Sequence, residues 1–297
     1  MKNDAVVEPA WLAENLDNPS VRIVEVSDMK NPEAYLEGHI PGAINWPWME
    51  SLWHPTDREI VPAEGFAALM ERSGIGHGTT IVIYSNQFQY ACYAFRVCIF
   101  RGHSRVKILN GKRDVWINEN LPMTRKIPEV APSTYPVRPS DESSRIRWQE
   151  IVEGLDKPDR VVLDLRTPEE YLGERVSPPW FEYDHGAVRK GHIPGAKHLF
   201  YEELLNEDES LKPLDQIRES YARRGATPDK EIITYCRLSH RGSMGWFVAT
   251  YLLGYPRARV YDGSWTEWGS LVGVPIVRES QKEDSAPSKG SGMGGCG

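Results

Sequence analysis

Cysteine is scarce in this chain of 297 residues, and long apolar runs are absent from it. The four cysteines, Cys92, Cys98, Cys236 and Cys296, have spacings that fit neither a disulfide framework nor a CxxC metal pair. We therefore expect a reducing compartment and no metal. No uncharged apolar stretch of about 18 residues is present, which excludes a membrane-spanning helix. The first residues lack the apolar segment of a secretory signal, and we expect a cytoplasmic protein.

An excess of positive charge is also missing. The formal net charge is -7, which argues against a nucleic acid as the main partner because binding to a polyanion needs a basic surface. The composition, with 40% hydrophobic and 26% charged residues, is that of an ordinary globular protein. The length favours two domains.

The two halves of the chain repeat one another. Residues 38–43 and 191–196 both read Gly-His-Ile-Pro-Gly-Ala, and three further landmarks recur at similar offsets. Such self-similarity indicates a duplication. We predict an N-terminal domain over 1–124, a proline-rich linker over 125–145, a C-terminal domain over 146–278 and a glycine-rich flexible tail over 279–297, which contains Cys296.

Short β-branched runs alternate with helical patterns in each half. This alternation predicts an α/β fold in which each domain is a parallel sheet with helices on both faces. Ligands of such sheets bind beyond the carboxyl ends of the strands. The predicted strands are 21–26, 80–84, 106–109, 160–165, 231–235 and 259–261, and the predicted helices are 63–72, 89–100, 202–206, 214–223 and 243–253.

Cys236 follows an apolar strand and precedes a predicted helix, so its thiol lies near a helix N-terminus. The free amides and the dipole at that end stabilise an anion, and Arg237, Arg241 and His240 are expected to add positive charge. These effects favour the reactive thiolate and would also hold a persulfide anion. The equivalent position of the first half is Ser85, with no cation in the next four residues, which predicts an inactive first domain.

The duplicated Gly-His-Ile-Pro-Gly-Ala segment, the CxxxxR loop at Cys236 and the closing segment 261–269 resemble the tandem rhodanese family of thiosulfate and 3-mercaptopyruvate sulfurtransferases. The resemblance covers about residues 8–278. It implies two similar α/β domains, of which the second is catalytic, and no cofactor. It also implies that Cys236 takes sulfur from a small anionic donor such as thiosulfate and passes it to cyanide, a thiol or a protein acceptor.

The same resemblance implies which other residues serve the site. Arg237, Ser239, His240 and Arg241 of the loop are expected to bind the substrate. Arg189, just before the second Gly-His-Ile-Pro-Gly-Ala segment, matches an arginine that reaches the donor in relatives. Asp164, at a strand end, is expected to have a structural role beside the site, through hydrogen bonds or a charge pair with Arg166.

Three alternatives stay open at this point. The cations of the loop resemble thiosulfate enzymes, but Ser239 and His240 depart from that pattern, so 3-mercaptopyruvate remains a candidate donor. A phosphatase related to rhodaneses would have five residues between its cysteine and arginine, whereas four separate Cys236 from Arg241. A non-enzymatic persulfide carrier that docks a protein partner is the third.

Overall fold

The computed structural model describes residues 2–28, 31 and 33–278. The predicted tail 279–297, with Cys296, lies outside these residues. Within the described ranges, no helix combines the length and the apolar character that crossing a membrane requires.

The first domain is built on five parallel strands in the order β1-β5-β4-β2-β3. The strands are β1 (Val6–Val7), β2 (Val21–Ser27), β3 (Ile44–Pro47), β4 (Thr80–Ser85) and β5 (Val106–Leu109). The helices are α1 (Pro9–Glu14), α2 (Ala34–Glu37), α3 (Trp48–Leu52), α4 (Ala63–Arg72), α5 (Phe88–Phe100) and α6 (Arg113–Asn118), after a 3-10 turn at Lys2–Ala5.

The second domain repeats this topology, with parallel strands in the order β6-β10-β9-β7-β8. The strands are β6 (Arg145–Ile146), β7 (Arg160–Asp164), β8 (Lys197–His198), β9 (Glu231–Tyr235) and β10 (Ala258–Tyr261). The helices are α7 (Trp148–Val152), α8 (Pro168–Leu172), α9 (Leu214–Ala222), α10 (His240–Phe247) and α11 (Ser264–Trp268). Two identically ordered sheets confirm the predicted α/β fold.

Strand β9 is buried on both faces, as an apolar strand inside a parallel sheet must be. Its side chains alternate between the two faces of the sheet. Ile232 packs in the core beneath α9 and α10, whereas Ile233 and Tyr235 pack on the other face with α7 and α11. The same alternation places Cys236, the next residue, on the α10 side. That side is the one that faces the first domain.

The two domains share one continuous core, because helix α5 of the first packs against helix α10 of the second. The rings of Phe95 and Phe247 meet edge to face with centroids 4.8 Å apart. A buried ion pair joins Arg96 to Asp262 across the same contact, with Nη1 and Oδ1 2.7 Å apart. The loop at Cys236 is therefore held against the first domain.

The repeated histidines have the same structural role in both domains. His39 stacks on Tyr35 and His192 stacks on Tyr171, each with ring centroids 3.9 Å apart. In both cases Nδ1 lies within hydrogen-bond distance of that tyrosine's carbonyl oxygen. The symmetry of these contacts supports the duplication.

Some elements differ from those expected. The segment predicted as a helix over 202–206 is a 3-10 turn at Tyr201–Leu204. The helix predicted over 243–253 begins three residues earlier, and its end widens into a π turn at Val248–Leu252. The early start follows from Ser239, whose φ of +77° turns the chain sharply into α10. The range predicted as a linker contains a 3-10 turn, Glu142–Ser144, and the first residue of β6.

Candidate active site

Cys236 begins the loop between β9 and α10, at the carboxyl end of a central strand. Its amide donates to Ser264 Oγ at 3.4 Å, and its carbonyl oxygen accepts from the Trp265 amide at 2.9 Å. Both contacts come from α11, so the cysteine backbone is fixed from the side. Only 1% of the residue is exposed, and it lines an adjoining cavity.

This cavity has a volume of about 60 Å³ and is built from both domains. Its size favours a small molecule, because sites for drug-sized ligands have volumes of roughly 300 Å³ or more. Among the described residues that line it, both charged side chains are arginines. The lining consists of Gln87, Gln89 and Tyr90 from the first domain and Pro178, Trp180, Phe181, Cys236, Arg237, Leu238, His240 and Arg241 from the second.

Arg237 is the cation of this cavity that has no carboxylate partner among the described residues. Its Nε and Nη2 donate to the carbonyl oxygen of His185 at 3.2 and 3.1 Å, and its guanidinium lies over the ring of Phe181. Gly186, at φ +115°, permits this approach, because a Cβ there would lie 2.8 Å from Nε of Arg237. Burial lowers the pKa of Arg237, but the group remains cationic at neutral pH.

The loop also presents backbone donors. The amides of Arg237, Leu238 and Ser239 have no acceptor among the described residues. Unpaired amides just before a helix N-terminus form a concavity that attracts anions. Ser239 contributes its left-handed backbone rather than its hydroxyl, whose oxygen lies 3.5 Å from Ser243 Oγ.

His240 does not add the positive charge expected of it. Its ring is buried among Trp48, Tyr90 and Tyr93, with centroid separations of 4.3 to 4.6 Å. Burial, reinforced by the charges of nearby arginines, lowers the pKa of His240 to about 3. The imidazole is therefore neutral at pH 7.

Arg241 lines the cavity but is held by Glu170. Two nitrogens of its guanidinium donate to the two carboxylate oxygens, at 2.7 and 3.0 Å, and the pair is almost completely buried. Burial alone would lower the pKa of Arg241, but the Glu170 carboxylate more than offsets it and raises that pKa. Glu170 also accepts from the Thr167 amide at the start of α8, so the pair fixes the loop to that helix.

Asp164 and Arg189 lie outside the cavity lining. Asp164 is fully buried, forms a forked pair with Arg166, and accepts from the Tyr235 hydroxyl at 2.5 Å. Burial would raise the pKa of Asp164, but Arg166 and Tyr235 outweigh it and hold the pKa low. Arg189 donates to four backbone carbonyl oxygens, one in the last residue of α11 and three in the chain after it, instead of lining the cavity at Cys236, so we assign it a structural role. Those oxygens belong to Trp268, Gly269, Leu271 and Val274.

In the first domain, the position that corresponds to Cys236 is occupied by internal hydrogen bonds. Ser85 donates its hydroxyl to the carbonyl oxygen of Val26 at 2.7 Å. The first amide of α5, that of Phe88, donates to a carboxylate oxygen of Glu209 from the second domain at 2.9 Å. An internal carboxylate therefore occupies the helix N-terminus that would otherwise attract an anion.

Sequence reasoning missed three parts of the site: Glu170, the first-domain glutamines and the segment 173–190. A signal for the segment was present in the repeat itself. Tyr171 and Gly191 are 20 positions apart, whereas their counterparts Tyr35 and Gly38 are three apart. The extra chain supplies Pro178, Trp180 and Phe181 to the cavity wall.

A larger groove, of about 800 Å³, lies at the amino ends of strands of the second sheet, away from Cys236. Ligands of parallel sheets bind at the opposite ends. The arginines of the groove are neutralised in pairs, namely Arg160 with Glu231, Arg257 with Asp159 and Arg259 with Glu150.

Within the described ranges, no group of three or more His, Cys, Asp or Glu side chains could hold a metal ion.

Comparison with known proteins gives concordant matches. The profile of the rhodanese-like domain matches residues 8–119 and 148–271. The sulfur carrier protein TtuD of Thermus thermophilus is 41% identical over 279 residues, which are 93% of this chain and 97% of that protein. A protein of Haloferax volcanii described as a candidate thiosulfate sulfurtransferase is 37% identical over 281 residues, 93% of this chain and 96% of that protein. A solved structure of an EanB variant with a cysteine persulfide and ergothioneine superposes with a TM-score of 0.80 at 25% identity, over 93% of this chain and 70% of that one.

Proposed function

The chain belongs to the rhodanese-like domain family, and from this we propose that its second domain moves sulfane sulfur from thiosulfate to cyanide or a thiol through a persulfide on Cys236. One observation carries the proposal. Cys236 lies at the carboxyl end of a strand, in a small cavity whose charged wall residues, among those described, are both arginines. This arrangement supports the proposal, because a thiol that can act as a nucleophile adjoins two arginines that can attract an anion.

In the loading step, the Cys236 thiolate attacks the outer sulfur of thiosulfate. A bond forms between the two sulfur atoms, the original sulfur–sulfur bond of thiosulfate breaks, and its electron pair leaves with sulfite. Arg237 binds the sulfonate oxygens, since no carboxylate among the described residues competes for it. The unpaired amides of the loop stabilise the negative charge of the persulfide.

The remaining loop residues support this chemistry without supplying mobile charge. Arg241, fixed by Glu170, keeps the loop in place and adds a positive wall. Ser239 sets the backbone turn, and neutral His240 packs the loop against the first domain.

Single-turnover sulfite release tests the proposal. Mixing the protein with thiosulfate alone should release about one sulfite per chain, as expected for a covalent intermediate. Cys236→Ser should release none, and Cys92→Ser, which changes a buried cysteine of α5, should behave as the wild type. Sulfite release that survives Cys236→Ser would refute the proposal.

The choice between thiosulfate and 3-mercaptopyruvate rests on Arg237. Thiosulfate is a dianion and gains more from an unpaired cation than the carboxylate monoanion does. We expect kcat/KM to be higher for thiosulfate, and we expect Arg237→Gln to reduce that preference. A higher kcat/KM for 3-mercaptopyruvate in the wild type would reverse the assignment of the donor.

A second candidate function is that of a persulfide carrier, which is favoured by the relative named as a sulfur carrier protein. A carrier would load readily but would discharge slowly to every small acceptor. Following the loss of the persulfide in cyanide and in simple thiols separates the two functions. Rapid discharge to small acceptors supports the enzyme, and slow discharge to all of them supports the carrier.

A further inference from the structure

A short turn of the second domain crosses to the first domain. The turn, residues 205–211, is closed by a backbone bridge between its two end residues. Its last amide, that of Leu211, donates to Oδ1 of Asn110 in the first domain at 3.1 Å. Near its tip, a carboxylate oxygen of Glu209 accepts from the amide of Phe88, the first residue of α5, at 2.9 Å. The turn therefore holds the first domain at two points.

Glu209 has a backbone conformation that residues with side chains rarely adopt. Its φ is +59°, in the left-handed region where glycine is the favoured residue. Strain of this kind persists only where the surrounding contacts require it, and it is concentrated at functional sites. The contribution of a glutamate at this position therefore lies in its carboxylate, which reaches the Phe88 amide.

The turn of chain that this carboxylate holds belongs to the cavity wall. Among the described residues, the first domain contributes Gln87, Gln89 and Tyr90 to the lining. Phe88 lies between them in the sequence, and its side chain is fully buried in the core. Its ring and its amide together fix these wall residues. Glu209 does not line the cavity itself, so its effect must pass through this turn.

In a cavity of about 60 Å³, a small shift of one wall changes how a bound molecule is held. A misplacement of about 1 Å can lower a reaction rate by about 100-fold. Building on the proposed function, we propose that Glu209 is a positioning residue of this site, which sets the first-domain wall against which thiosulfate binds by holding the Phe88 amide. Cys236 and Arg237 belong to the second domain and stay in place when this contact is lost. The loss should therefore weaken the binding of the donor more than the attack of the thiolate.

Single-turnover sulfite release at increasing thiosulfate concentration measures these two effects separately. Glu209→Ala should raise the concentration that gives the half-maximal rate by roughly fivefold, as expected from the loss of one contact at a helix N-terminus. The maximal rate should change much less. Glu209→Gln keeps an oxygen that can accept from the Phe88 amide, so it should recover most of the wild-type affinity. Glu207→Ala, at an exposed position nearby, is the matched control and should behave as the wild type.

Glu209→Gly separates positioning from stability. Glycine removes the carboxylate as alanine does, but it suits a φ of +59°, so Glu209→Gly should resist denaturant better than Glu209→Ala. Both variants should nevertheless share the raised half-maximal concentration. A merely structural role would change the amount of active protein in step with stability and leave the affinity unchanged. Wild-type affinity in both variants would overturn the proposal.

A second measurement does not depend on sulfur transfer. Only 1% of Cys236 is exposed, so its alkylation by iodoacetamide depends on movement of the residues around it. The alkylation rate, followed by peptide mass spectrometry, should be roughly fivefold higher in Glu209→Ala and Glu209→Gly than in the wild type, because loss of the contact favours local opening. Glu209→Gln and Glu207→Ala should react much as the wild type does.

The two measurements distinguish the failure of this proposal from the failure of the proposed function. Equal alkylation rates in all five proteins would overturn the positioning role, whether or not Cys236 loads with sulfur. A raised rate in Glu209→Ala and Glu209→Gly, in a protein that never releases sulfite, would keep the role of Glu209 at the wall and refute the proposed function.

Discussion

The buried pair between Glu170 and Arg241 makes the sharpest stability prediction. Glu170→Gln preserves the shape of the side chain but leaves the Arg241 guanidinium buried without a counter-charge. Removing one partner of such a pair costs about 3–5 kcal/mol. Domains of ordinary size are stable by only about 5–15 kcal/mol, so the loss is large. The amide oxygen of glutamine can still accept one hydrogen bond, which places the expected loss near the lower end of that range.

Denaturant unfolding measures this effect. The midpoint of Glu170→Gln should fall while the slope of free energy against denaturant stays constant. Glu169→Gln is the matched control, because the Glu169 side chain is only partly buried and forms no ion pair with any of the residues that the structure describes. This change should alter stability by less than about 0.5 kcal/mol.

A double variant separates the charge from the packing. Replacing both partners with apolar residues, Glu170→Leu with Arg241→Met, should destabilise less than either single change, because no lone charge remains buried. If Glu170→Gln matched the wild type within about 0.5 kcal/mol, the reasoning that Arg241 is neutralised by this carboxylate would be refuted.

Three further changes probe the site. Arg237→Gln should lower kcat/KM for thiosulfate by roughly 10- to 150-fold through the loss of charge-assisted hydrogen bonds, and a change below twofold in steady-state assays would exclude its role. Because the pKa of His240, about 3 when folded, lies below its unfolded value near 6.5, the unfolded chain takes up the proton first and stability falls as the pH drops from about 6.5 toward 3. Denaturation at pH 7 and pH 5 should show a smaller drop for His240→Phe, and an unchanged drop would contradict the assignment. Glu209→Ala should lower the free energy of unfolding by about 1 kcal/mol, because the contact at the N-terminus of α5 is lost. Glu207→Ala, at an exposed position nearby, is the control. Equal free energies of unfolding in the two variants would count against that contact.

The sheets could be predicted because the evidence for them is local. Runs such as Ile232-Ile233-Thr234-Tyr235 are apolar on both faces, and a strand of this kind belongs inside a parallel sheet. The position of Cys236 followed from the same pattern, since it is the first residue after such a strand. The repeat then supplied Ser85 as an internal comparison.

The charges around the thiol could not be predicted, because their partners are distant in the sequence. Arg241 and Glu170 are 71 positions apart, and nothing local to the loop shows that the arginine is neutralised. His240 is neutral because Trp48, Tyr90 and Tyr93 of the other domain surround it. Sequence reasoning counted three cations. Among the described residues that line the cavity, Arg237 is the one cation that has no carboxylate partner.

Arg189 shows the limit of transferring a role by motif position. It precedes the repeated segment, where the donor-binding arginine of relatives was expected, yet its guanidinium donates to carbonyl oxygens at and beyond the end of α11. Carbonyl oxygens in the last residue of α11 and in the chain that follows it are favourable acceptors for a cationic side chain. Only the three-dimensional contacts show that the Arg189 side chain is bound to these carbonyl oxygens.

Intact mass spectrometry tests the central claim most directly. After incubation with thiosulfate and removal of excess reagent, the wild-type protein should gain the mass of one sulfur atom, and cyanide should remove it. Cys236→Ala should gain nothing under the same conditions. An unchanged wild-type mass, or a sulfur that is retained in Cys236→Ala, would contradict the account.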